Sequence, residues 1–158
     1  MKILTRLMIA LFLIVAADQS VAQQRPIGVG LIVGEPTGLS VKLWTSSVTA
    51  FDFGMGWSVS DRPDGDQLTR IHVHMDYVIH VFNAIRTSET LPLYYGIGGR
   101  FIGGSSSDGA IAIRVVVGLA WQPRQTPLDL FVEIAPSLQV VPSSDFGLDA
   151  AIGIRYFF

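Results

Sequence analysis

Arg70-Ile71-His72-Val73-His74-Met75-Asp76-Tyr77-Val78-Ile79-His80-Val81 is the stretch on which the fold turns. Ile71, Val73, Met75, Tyr77, Ile79 and Val81 take every second position, and Arg70, His72, His74, Asp76 and His80 lie between them. In an extended chain, side chains at i and i+2 share a face, so this is a strand with one apolar side and one ionisable side. A helical period would scatter the same residues around a cylinder.

The pattern repeats outward in both directions. Ile111, Ile113, Val115, Val117, Leu119 and Trp121 alternate with Ala112, Arg114, Gly118 and Ala120. Phe146, Leu148, Ile152, Ile154, Tyr156 and Phe158 stand opposite Asp145, Gly147, Asp149, Gly153 and Arg155. From Ile27 onward the two-residue period predicts strands over 27–34, 38–45, 49–59, 69–82, 93–102, 110–122, 128–139 and 145–158, separated by Gly-, Pro-, Ser- and Asp-rich turns. The predicted fold class is all-β: an eight-stranded antiparallel up-and-down transmembrane β-barrel.

Alternation alone does not say which face is outside. A soluble barrel points its apolar face inward; a membrane barrel turns it to lipid and fills the interior with polar groups. Three features favour the membrane arrangement. Only 15% of the residues are charged while 49% are hydrophobic, where a soluble domain carries about 25% charged residues. The polar face is largely Gly, Ala and Ser, which suits a crowded lumen, and beyond residue 22 the only lysine is Lys42. The strand charges also balance, Lys42, Arg70, Arg100, Arg114 and Arg155 against Asp52, Asp76, Asp129, Glu133 and Asp149, as buried charges must. Together with His72, His74 and His80 these residues form the expected lumen ionic network. The short Ser46-Ser47 turn places Lys42 opposite Asp52. Arg100 and Arg114 fall close together and need Asp129 or Glu133, or a bound group, between them.

Aromatic placement fits the same frame. Tyr95, Trp121, Tyr156 and Phe158 fall near one membrane boundary, and Trp57, Phe101 and Phe146 near the other, the two girdles that interface-seeking rings make. Trp44 and Phe131 have lumen parity, and Pro136 lies inside a strand; a bulge would reconcile them.

The first residues read as an address. Lys2 and Arg6 precede an apolar run over 7–17, and Ser20-Val21-Ala22 ends it with small residues, so 1–22 is expected to be a signal peptide and 23–158 the barrel domain. The apolar run is too short for a spanning helix, which needs roughly 20 residues. A net charge of −2 with no basic run excludes a nucleic-acid binder that works through a basic surface. The absence of Cys excludes disulfides and thiolate metal sites.

The C-terminal Ile152-Gly153-Ile154-Arg155-Tyr156-Phe157-Phe158 resembles the terminal strand by which bacterial outer-membrane barrels are recognised for assembly. The eight-strand count resembles the OmpX/OmpA-type barrels. Glu35 to Trp44, His72 to Tyr77, Leu91 to Arg100 and Pro127 to Glu133 resemble a group of small bacterial outer-membrane barrels of unassigned activity. The resemblance implies a location in the bacterial outer membrane after export through the inner one. Its implied partners are outer-membrane lipids and the barrel-assembly machinery, and it transfers no catalytic residue.

Candidate chemistry is sparse. His72 and His74 are about 6.5–7 Å apart along a strand, too far to converge on one ion without distortion. No metal site, cofactor or catalytic residue is therefore expected. Asp61, Asp64 and Asp66 around Pro63 and Gly65 do not have the spacing of a calcium loop. An eight-stranded interior is just wide enough to be filled by side chains. The expected protein is a non-enzymatic, monomeric envelope component with a plugged lumen. A narrow, porin-like channel for small solutes is the second reading and a lipid-modifying acyltransferase or deacylase the third.

Overall fold

A computed structural model describes residues 25–61, 67–85, 87–104 and 107–158. The expected signal peptide and the Asp64 and Asp66 positions lie outside the described residues. Eight strands follow in order: β1 (Ile27–Gly34), β2 (Gly38–Trp44), β3 (Thr49–Asp61), β4 (Gln67–Val81), β5 (Leu93–Gly104), β6 (Ser107–Trp121), β7 (Leu128–Val141) and β8 (Asp145–Phe157). Each pairs antiparallel with the next, and β8 pairs with β1 to close the barrel. Closure pairs every strand on both sides through the body of the barrel, the condition for a sheet to sit in hydrocarbon; β3 beyond Gly56 and β8 before Ala151 run past the shorter β1–β2 hairpin. Among the described residues no helix is long and apolar enough to cross a membrane.

The faces sort as the alternation requires, and the sorting is inside-out. Ile152 and Trp57 are 61% and 60% exposed on the exterior, while Lys42 and Asp129 are fully buried in the lumen. The expected girdle residues Trp57, Tyr95, Phe101, Trp121, Phe146, Tyr156 and Phe158 all lie exposed on the outer wall.

Much of the lumen is packed by pairing a bulky side chain with a glycine across the ladder. His74 leans over Gly54, Asp76 over Gly98, Tyr94 over Gly118, Phe131 over Gly153 and Phe157 over Gly28. A Cβ at any of these glycines would occupy space the partner already fills. Gly34 has a different role: its φ of +133° starts the turn into β2, where Thr37 Oγ1 accepts from Gly34 N–H at 3.0 Å.

Trp44 and Phe131 need no bulge. Phe131 is buried inside the barrel, Trp44 is half-buried at one mouth, and the β7–β8 register runs unbroken past Pro136, which lies opposite Leu148. On its other side the β6–β7 pairing skips from Arg114↔Ser137 to Val117↔Ile134. The ladder opens beside the one residue there that has no N–H to donate.

Candidate functional site

Nearer the end of the barrel where β1 starts and β8 finishes, Lys42 and Arg155 face Asp52 and Asp129 in a four-membered ring. Lys42 Nζ lies 3.6 Å from Asp52 and 3.4 Å from Asp129, and Arg155 lies 3.4 Å and 3.2 Å from the same two carboxylates. Lys42 and Asp52 are direct cross-strand neighbours on β2 and β3, as are Asp129 and Arg155 on β7 and β8. Two hairpins thus present their charges to each other across the lumen. Arg155 Nε donates to Ser40 Oγ at 2.8 Å, and Lys42 Nζ lies 3.0 Å from His80 Nε2. An ammonium only donates, so the imidazole accepts. Rings cover the cations: Phe131 lies 3.8 Å from the Arg155 guanidinium, and Tyr94 and Trp44 lie 5.0 and 5.4 Å from Lys42 Nζ.

A second cluster centres on Arg114, which is buried. It approaches Asp76 at 3.2 Å, Glu133 at 3.2 Å and Asp149 at 3.7 Å. Arg100 Nη1 donates to both oxygens of Asp149 at 2.7 and 2.8 Å, and the Tyr94 hydroxyl donates to Glu133 at 2.7 Å. The proximity expected of Arg100 and Arg114 is managed through Glu133 and Asp149; Asp129 belongs to the first cluster. His74 sits 3.9 Å from Asp76 and edge-on to His72, which itself lies 3.9 Å from Glu35 at the far mouth.

Arg70 corrects the expected network. It lies exposed at the far mouth, beside a recess it lines with Glu35, Trp57 and His72. Its parity is right and its depth is wrong: it sits too close to the strand end to reach the interior carboxylates. Among the described residues the expected five-to-five balance becomes four interior cations against five interior carboxylates, and the surplus falls in the Arg114 cluster.

Tyr94, Ser40, Trp44 and Phe131 belong to the site although composition does not single them out. Parity identifies them: each has the lumen-facing position of its strand, between glycines and charges. Among the described residues no three of His, Asp and Glu converge on a point that could hold a metal ion. None of the three imidazoles hydrogen-bonds a hydroxyl there either. The chemistry on view is charge pairing.

No protein-family model matches the chain, and no curated protein matches it. Among solved structures, the crystal structure of Acinetobacter baumannii CarO is similar to it, with 10% sequence identity and a TM-score of 0.49, over 86% of this chain and 100% of that one.

Proposed function

We propose that this chain is an integral outer-membrane β-barrel whose side-chain-filled ionic lumen serves a structural or surface-binding role in the bacterial envelope. The observation that carries this reading is the inversion of the barrel: an apolar wall bounded by aromatic rings, around an interior in which Lys42, Arg114 and Arg155 are buried against carboxylates. A soluble barrel with this wall would expose a continuous apolar surface far beyond the few hundred Å² that monomers tolerate. Lipid removes that penalty.

In this reading residues 1–22 direct export and are removed. The C-terminal strand is presented to the barrel-assembly machinery, outer-membrane lipids surround the wall, and the protein is a monomer of the OmpX/OmpA type. The paired interior charges favour a plug over a pore. The surplus carboxylate beside Arg114 supports a second reading, a constriction selective for cations.

Cell fractionation with a gel-shift assay tests location. The expected result is recovery with the outer membrane and a different gel mobility for unheated and boiled samples. Recovery in the soluble periplasmic fraction would overturn the reading.

A further inference from the structure

One mouth of the barrel departs from the ionic character of the lumen. At the end where β1 starts and β8 finishes, a recess of about 350 Å³ is walled by the rings of Trp44, Phe82 and Phe157, with Leu128 on one side and Ser47 at the rim. Small-molecule sites are mostly apolar concavities of about 300–1,000 Å³ with a few placed polar groups, and this recess has both the size and the make-up. Trp44 and Phe82 are stacked with centroids 6.3 Å apart and planes 28° apart, and Trp44 lies 4.4 Å from the His80 ring behind it.

Of the polar residues that line it, Arg25 is the one that carries a charge. Its Nη1 donates to the Phe157 carbonyl at 3.1 Å and approaches the Tyr156 hydroxyl at 3.4 Å, which ties the exposed side chain to the β8 end of the rim. Its Nε and Nη2 have no partner among the described residues. A planar guanidinium held at one end offers paired donors that match a carboxylate. Inward-facing rings at a wet mouth gain by being covered with another flat apolar surface.

We propose that this recess binds a small planar aryl carboxylate, its ring against Trp44 and Phe82 and its carboxylate on Arg25. The recess adjoins the first ionic cluster, because Trp44 also covers Lys42, but it opens outward at the mouth.

The test uses the full barrel domain in phosphatidylcholine nanodiscs, titrated with 2-naphthoate by calorimetry and tryptophan emission, with uncharged 2-naphthamide as comparison. Saturable binding at one site per barrel is expected. It should weaken at least tenfold in Trp44→Ala and several-fold in Arg25→Gln, and 2-naphthamide should bind more weakly and ignore Arg25→Gln. Ser47→Trp, at an exposed turn position, fills the mouth without removing a wall and should abolish binding, which covers failure of Trp44→Ala to fold. Absence of saturable binding would overturn the proposal. Equal uptake by wild type, Ser47→Trp and Arg25→Gln would also overturn it, because it would show partition into the lipid alone.

Discussion

Asp52 and Asp76 are direct cross-strand partners on β3 and β4, yet each carboxylate answers to a different cation. Asp52 turns to Lys42 and Arg155, while Asp76 turns to Arg114. Two like charges placed opposite each other would destabilise a sheet. Here their divergence divides the lumen into two clusters, and Lys42, Arg114 and Arg155 are each held by carboxylates from more than one strand. The charges therefore clamp the barrel across its diameter as well as along its hairpins.

This arrangement sets what breaking it costs. Removing one partner of a buried pair leaves an uncompensated charge, at about 3–5 kcal/mol, whereas replacing both by apolar residues can be near neutral. Asp129→Asn, which strips one carboxylate from between Lys42 and Arg155, should lower stability by about 3–5 kcal/mol. Lys42→Met combined with Asp129→Leu should recover most of that loss. Urea unfolding in detergent micelles, followed by tryptophan emission, measures both.

Arg70 on β4 and Arg114 on β6 supply the matching contrast at the same lumen parity. Arg70 is exposed and Arg114 is 1% exposed among three carboxylates. Arg70→Gln should change stability by no more than about 0.5 kcal/mol, as surface substitutions do. Arg114→Gln should cost about 3–5 kcal/mol. The same unfolding experiment separates them.

Glycine spacing is tested at Gly118 and Gly99. A Cβ at Gly118 would collide with the ring of Tyr94, which is fully buried and tied to Glu133, while at Gly99 the nearest atom is Ala112 O at 3.9 Å. Gly118→Ala should destabilise by about 1–3 kcal/mol, the usual range for overpacking. Gly99→Ala should leave the unfolding midpoint unchanged.

The apolar outer wall makes a prediction of its own. Ile152 lies between the two aromatic girdles and is 61% exposed. Ile152→Arg should cost about 2–4 kcal/mol in a bilayer, the range for a cation near its midplane. Unfolding from liposomes checks this, and a neutral result would show that the residue faces water.

The fold was legible in the sequence because a strand's period of two reports its face directly. The Ile71–Val81 alternation sorts the two faces, the balanced charges and small residues of the polar face mark it as the lumen, and Lys42 opposite Asp52 follows from one short turn. Depth was not legible. Arg70 and His72 share parity, but only His72 is buried, because depth depends on strand tilt and register around the whole barrel. Pairing across the lumen escapes the sequence for the same reason: Arg100 meets Asp149 from a strand three places away in the chain. Trp44 and Phe131 looked misplaced because rings are expected on the lipid side. Inside, they cover Lys42 and Arg155.

A filled, inside-out barrel is tested most directly by planar-bilayer recording of the purified protein at high salt. The wild-type barrel is expected to insert without stable unitary currents, because Arg114, Glu133, Asp149 and their partners close its interior. Stable unitary currents in the wild type, with an amplitude or ion selectivity that changes in Arg114→Ala or Glu133→Ala, would contradict it and establish a conducting lumen.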